Sequence, residues 1–146
     1  MTVMPSPMLT DRFSRAFEFA SVVHAMQVRK ETCIPYLSHL LAVASLVIEH
    51  GADEDTAIAA LLHDAAEDCG GRPMLEQIRA RFGQPVALIV EGCSDTFEED
   101  KPPYPQRKTD YVKHLAGDAS EATCLVSAAD KLHNARSILH DLRAAK

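Results

Sequence analysis

The chain lacks any excess of positive charge. Its formal net charge is −6, so no surface is built to track a nucleic-acid polymer, whose binding rests on Lys and Arg neutralising phosphates. It lacks paired cysteines. Cys33, Cys69, Cys93 and Cys124 form neither a CxxC pair nor a zinc-ribbon spacing, and they read as reduced thiols of a cytoplasmic protein. It lacks a long apolar run. No stretch approaches the roughly twenty residues needed to cross a bilayer, so no membrane partner is expected. The opening MTVMPSPMLTDR is too proline-rich for a secretory signal core. Internal repeats and low-complexity tracts are missing as well. What remains is 146 residues, 47% apolar and 25% charged, an ordinary globular composition with enough chain for one core. A small anionic substrate stays compatible with the negative balance, because local cations or a metal override net charge.

The pattern predicts helices joined by short breaks. Residues 1–9 read as a flexible arm and 10–146 as one domain. Phe13, Ala16, Phe17, Ala20 and Val23 keep helical spacing, predicting a first helix from about Thr10 to Arg29. Pro35 forces an extended or turn conformation upstream of a second helix from about Tyr36 to His50, which Gly51 ends. A third helix starts in ADEDT and runs to Gly70-Gly71. A fourth starts near Pro73 and ends at about Phe82. Val86, Ile89, Val90 and Cys93 follow i, i+3, i+4, i+7, so 84–93 reads as helix rather than strand. Asp95 to Pro105 is acidic, proline-rich and aperiodic, hence a loop. Helices resume from Gln106 to about Ala116 and, capped by Ser120, through Leu142. The fold class is all-α, a compact helical bundle.

Several polar groups sit where such a bundle should be apolar. On the third helix His63, Asp64, Glu67 and Asp68 cover one arc at its C-terminal end. Adjacent carboxylates repel there, and a helix C-terminus disfavours negative charge. His39 lies within an apolar helix and Asp130 follows Ser127-Ala128-Ala129. Each needs a partner if buried. One divalent cation shared by His39, His63, Asp64 and Asp130 satisfies all four. Mixed imidazole and carboxylate donors suit manganese, iron or zinc.

HAMQVRK, IPYLSH, AALLHDAAED, RFGQPVALIVEG and SAADKLHNAR, in that order, resemble the HD superfamily of metal-dependent phosphohydrolases. Within it they resemble the hydrolase domain of the RelA/SpoT alarmone enzymes and the stand-alone hydrolases of the Mesh1 type. The resemblance implies an HD-domain helical bundle with manganese on His39, His63, Asp64 and Asp130. It implies Glu67 and Asp68 as the pair acting on the attacking water and reacting phosphate. It implies Asn134 near the 3′-phosphate and ribose, and Arg29 and Lys30 along the base pocket. Lys131 and Arg136 are candidate phosphate contacts, with Arg107 and Lys108 behind them. The implied partner is a 3′-pyrophosphorylated purine nucleotide, and the implied activity is of the guanosine-3′,5′-bis(diphosphate) 3′-pyrophosphohydrolase kind. Homo-oligomerisation stays open.

The chemistry of the spacing agrees. Glu67 follows His63 by one turn and Asp68 follows Asp64 by one turn, so the first can take a proton from water and the second can hold it. Asn134 follows Asp130 by one turn. His133 points about 60° away from them and reads as no ligand. His24 reads equally as a brace or a substrate contact; His50, His114 and His140 read as surface residues. Between Lys30 and Pro35 the chain reads ETCI, where the family carries a glycine-containing turn beside the base pocket. CSDTFEEDKPPYP after Gly92 fits the small hydrolases. Two further readings stay open: an HD phosphohydrolase for another nucleotide or phosphate ester, and a non-catalytic nucleotide-binding module.

Overall fold

Three helices begin where a side chain accepts a backbone N–H that the helix itself cannot satisfy. In the computed structural model, which describes residues 9–97 and 100–145, Thr10 accepts from Arg12 at the start of α1 (Asp11–Val23). Asp53 accepts from Thr56 at α3 (Glu54–Leu62), and Ser120 accepts from Thr123 at α8 (Glu121–Ala144). The other helices are α2 (Leu37–Glu49), α4 (Ala65–Cys69), α5 (Gly71–Phe82), α6 (Gln84–Cys93) and α7 (Tyr104–Gly117). Among the described residues there is no sheet, and one isolated antiparallel bridge joins Val28 to Pro35. Of the expected arm, residues 1–8 lie outside the described residues, and Leu9 is exposed.

The bundle is arranged around α3. Thr56 to Leu62 are buried without interruption, and a helix buried on all sides must be surrounded. α1, α2, α6 and α8 all pack against it. α2 contributes Leu40, Val43, Ala44 and Val47 to the core, and α6 contributes Val86, Ala87, Ile89 and Val90. Arg12 ties the start of α3 to its neighbours. Its guanidinium donates to Glu54 (3.2 Å), Asp55 (2.8 Å) and the Phe82 carbonyl (2.8 Å). Gly51 ends α2 at φ +78°, a left-handed conformation that a side chain resists.

Several boundaries differ from the sequence expectation. α1 stops at Val23 rather than Arg29, because the following backbone bonds elsewhere: Tyr36 N–H donates to the Gln27 carbonyl (2.9 Å), and Arg29 N–H donates to Ile34 (2.8 Å). Glu31 stands in the intervening turn at φ +60°. Phe17 faces outward, 37% exposed, while Ala16 and Ala20 take the core face. α7 starts two residues early, at Tyr104, with Pro105 in its first turn, where a missing N–H costs nothing. The predicted third helix is two helices, α3 and α4, broken at His63-Asp64. Asp64 sits at φ −97°, ψ −6°, at the edge of the helical basin. His63 Nδ1 lies 2.8 Å from the Ala60 carbonyl, so a side chain caps the helix end that the break exposes.

α6 and α8 approach so closely at Gly92 that only hydrogen fits. A Cβ there would lie 2.8 Å from Thr123 Cγ2 and 2.9 Å from its Oγ1. Gly92→Ala is expected to destabilise the fold by about 1–3 kcal/mol through overpacking, measured by urea unfolding. Thr123→Ala in the same chain should return more than half of that loss. A neutral Gly92→Ala would show that the two helices are free to move apart.

Candidate metal centre and its pocket

α2, the α3–α4 break and α8 bring their polar groups to one point. The ligand atoms of His39, His63 and Asp130 lie within 4.8 Å of one another, and all three residues are buried. His39 Nε2 is 3.0 Å from Asp130 Oδ1 and 3.7 Å from Asp64 Oδ2; His63 Nε2 is 3.1 Å from Asp64 Oδ2 and 3.7 Å from Asp130 Oδ1. Despite this closeness, both Nε2 atoms are buried without an aligned hydrogen bond. They point at the space between the carboxylates rather than at an oxygen. Buried nitrogens left without partners are costly, and a divalent cation in that space would satisfy them with the ligand types it prefers. His39, His63 and Asp130 fit a metal, with Asp64 Oδ2 beside them.

Each candidate ligand is held from behind, as the outer partners of metal ligands usually are. His63 Nδ1 faces the Ala60 carbonyl, which can only accept, so Nδ1 carries a proton and Nε2 is the atom a metal would take. His39 Nδ1 lies 2.7 Å from His133 Nδ1. With a metal on His39 Nε2, the His39 Nδ1–H donates to His133. The Tyr36 hydroxyl donates to Asp64 Oδ2 (2.6 Å), and Asn134 Nδ2 donates to Asp130 Oδ1 (2.7 Å). His133 is therefore outside the ligand group, as its helical angle predicts, yet it touches a candidate ligand. The sequence reading gave no role to Tyr36, although a tyrosine three residues ahead of a ligand histidine shares its helix face.

Charge follows the same pattern. Burial pushes Asp64 upward, but the His63 charge close by and the Tyr36 hydroxyl outweigh it and hold the carboxyl at about 2. Burial raises Asp130 too, and the neighbouring His39 and His63 rings and Lys131 bring it far below the ordinary range. Burial lowers His63, while the Asp64 and Asp130 carboxylates lift it well above the ordinary histidine value. Without a metal, a proton on His63 stands in for the cation. Glu67 behaves oppositely. Burial raises it, an N–H bond from Asp95 (3.2 Å) lowers it, and the charges of Asp95, Asp64 and Asp68 raise it again. A carboxylate with raised pKa is a better proton acceptor.

The other candidates divide into two groups. Arg29, Lys30, Asn134 and Arg136 line an open cavity of about 760 Å³, together with Tyr36, Ser38 and His133. Tyr36, His133 and Asn134 thus have one side in the cavity and the other on Asp64, His39 and Asp130. Arg29 bridges these walls by donating to Asn134 Oδ1 (2.9 Å). Lys131 instead turns onto Asp130, Nζ to Oδ2 at 2.6 Å. Arg107 and Lys108 are drawn to Asp95, whose side chain is 5% exposed. Tyr104 is exposed beside them and is not in the cavity wall. His50 is a surface residue as expected, and His140 is exposed at the cavity rim. His114 is not a surface histidine, because its Nε2 is buried.

Comparison with known proteins places the whole domain. A family model described as an HD domain matches residues 16–146. A guanosine-3′,5′-bis(diphosphate) 3′-pyrophosphohydrolase of Aquifex aeolicus is 37% identical over 134 residues, covering 90% of this chain. The chain spans only 18% of that relative's length. The guanosine-3′,5′-bis(diphosphate) 3′-pyrophosphohydrolase MESH1 of Xenopus tropicalis is 40% identical over 127 residues, covering 84% of this chain and 67% of that protein. A solved structure described as a metazoan ortholog of SpoT that hydrolyzes ppGpp and plays a role in starvation responses superposes with a TM-score of 0.78. It is 28% identical, and the match covers 94% of this chain and 74% of that one. The family match over residues 16–146 and the shared overall fold lead to one conclusion: the chain belongs to the HD domain family of proteins.

Proposed function

We propose that residues 10–146 form a manganese-dependent hydrolase domain that removes the 3′-pyrophosphate from guanosine tetra- or pentaphosphate in the cytoplasm. The observation that carries this reading is the wall shared by the candidate metal centre and the cavity: Tyr36, His133 and Asn134 belong to both. A nucleotide in the cavity would lie beside the ion. The activity for which the Aquifex and Xenopus relatives are named supports this choice of substrate.

A divalent ion on His39, His63, Asp64 and Asp130 would acidify water and polarise a phosphoryl oxygen. The rest falls to the chain. Glu67, its pKa raised, takes a proton from the attacking water, and Asp68 accepts a hydrogen bond from the same water. The water oxygen joins the phosphorus next to the 3′ oxygen, the bond from that phosphorus to the 3′ oxygen breaks, and the 3′ oxygen regains a proton. The products are pyrophosphate and the nucleoside 5′-diphosphate or 5′-triphosphate with a free 3′-hydroxyl. Asn134 contacts the 3′-phosphate and ribose, Arg29 and Lys30 flank the base, and Arg136 meets phosphate charge. Lys131 acts through Asp130, which it contacts.

A second reading keeps the centre and changes the substrate. It rests on Glu31, which stands at φ +60° in a turn lining the cavity beside Arg29 and Lys30. A carboxylate there alters which base or ester the pocket prefers.

Purified protein with manganese is expected to release pyrophosphate from guanosine tetraphosphate. His63→Ala should abolish turnover, and Glu67→Gln should lower kcat by about 10²–10⁴-fold. Turnover only within a panel of other phosphate esters would select the second reading. No turnover of any 3′-pyrophosphorylated nucleotide would sink the first. Metal binding has its own pH signature. A metal must displace the proton that Asp64 and Asp130 hold on His63, so affinity rises with pH until His63 is neutral, by up to about tenfold per unit. Manganese titrations by calorimetry in buffers of different ionisation enthalpy should show proton release on binding, growing as pH falls. Binding without proton release would mean that His63 is already neutral.

A further inference from the structure

Asp68 lies at the solvent edge of a five-residue helix, where a carboxylate would ordinarily swing between rotamers. It is caught from outside its own element. Gln27, in the turn after α1, donates from Nε2 to Asp68 Oδ2 at 3.0 Å. The other end of the same amide, Oε1, lies 2.7 Å from His24 Nδ1. His24 is 3% exposed and stacks on Tyr36 with ring centroids 5.4 Å apart. Tyr36 in turn holds Asp64. Cys69 Sγ also donates to Gln27 Oε1 at 3.8 Å and lies 3.7 Å from His24 Nδ1. Both contacts are far longer than the 2.7 Å approach of His24, and at that approach the chemistry of the three groups favours one arrangement. An ionised carboxylate only accepts, so the amide must turn its NH₂ toward Asp68. Its oxygen then faces His24 and needs a donor, so the His24 proton sits on Nδ1. The buried, unpartnered His24 Nε2 is then a bare lone pair, cheaper to leave unpaired than an N–H would be. Reversing the amide would put two acceptors together at Asp68. It would also force a proton onto buried Nε2 with nothing to receive it.

We propose that His24 and Gln27 form a positioning relay that fixes the Asp68 carboxylate for the attacking water, with neither residue touching substrate. The relay rests on the hydrolytic reading given above for its use, and on hydrogen-bond polarity for its existence. Gln27 is a good lever, because it is half-buried at the rim and can be changed without opening the core.

The test is Gln27→Met, which keeps the length of the side chain and removes both ends of the amide. With manganese and guanosine tetraphosphate, kcat should fall about tenfold, the size seen when an outer partner of a site residue is lost. KM should stay within twofold, and manganese content and Tm should be unchanged. Gln27→Glu, which sets a second carboxylate against Asp68, should fall further. ¹⁵N NMR of the zinc-loaded protein should place the wild-type His24 proton on Nδ1, and Gln27→Met should release it toward Nε2. An unchanged kcat would overturn the relay. A raised KM with kcat preserved would make Gln27 a substrate contact instead. A wild-type His24 protonated on Nε2 would overturn the relay whatever the activity. If the wild type leaves guanosine tetraphosphate untouched, the substrate assignment falls and the tautomer measurement still decides the relay.

Discussion

Two imidazoles and two carboxylates aimed at one point inside an apolar bundle are the constraint from which the rest follows. In an otherwise dry interior such a group is unstable unless protons or a cation balance it. The protein does not relieve the problem by pairing each nitrogen with an oxygen. It bonds the outer nitrogens of the two histidines, through Ala60 and His133, and fixes the inward oxygens of Asp64 and Asp130 through Tyr36 and Asn134, leaving each oxygen a second lone pair. Supports that fix rings and carboxylates while sparing the lone pairs are what a preorganised cation site requires. A structural ion-pair cluster would have spent those lone pairs.

The same constraint shapes the backbone. A continuous helix would have carried His63 and Asp64 around its axis at 100° per residue. The break at His63-Asp64 lets both face the centre and sets a new direction for α4. Glu67 and Asp68 ride on that short helix, and each is steadied from a different wall. The Asp95 N–H from the α6–α7 loop holds Glu67, and Gln27 from the α1–α2 turn holds Asp68. Two neighbouring carboxylates with raised pKa are thereby kept apart without being neutralised. The loop after α6 reads as a connector in sequence, and Gln27 reads as part of the first helix. In the structure both segments serve as splints.

This explains what the residues alone disclosed. Helical periodicity was sufficient for α2, α5 and α6, because their apolar stripes are uninterrupted. The α6 assignment over a strand depended only on Val86, Ile89, Val90 and Cys93. The candidate metal residues were legible because a buried histidine or aspartate in an apolar segment advertises an unmet need. Local pattern said nothing of the His63-Asp64 break, since it comes from contacts with Tyr36 and Ala60 rather than from a Gly or Pro. The early end of α1 was hidden similarly: Val28 and Arg29 suit a helix but are claimed by a bridge to Ile34 and Pro35. Tyr36, His133 and Asp95 escaped notice because a hydrogen-bond partner is chosen by the packing of distant segments.

Charge bookkeeping then separates the cations that sequence alone groups together. Lys131, Arg107 and Lys108 all look available in the sequence, yet the fold turns Lys131 onto Asp130 and sets the other two on Asp95. Their charge sustains the carboxylates of the centre and its loop. Arg29, Lys30 and Arg136 remain on the cavity wall, against Glu31 and Asp141 on the same wall. A highly anionic nucleotide would therefore meet little net positive charge from side chains. Most of its attraction would have to come from the ion held by His39, His63, Asp64 and Asp130, because a bound divalent ion is the largest local charge in such a site. In a chain of net charge −6, metal occupancy and substrate binding would then be coupled. The contacts that would link them lie in the shared wall, where Asn134 bonds Asp130 on one side and Arg29 on the other.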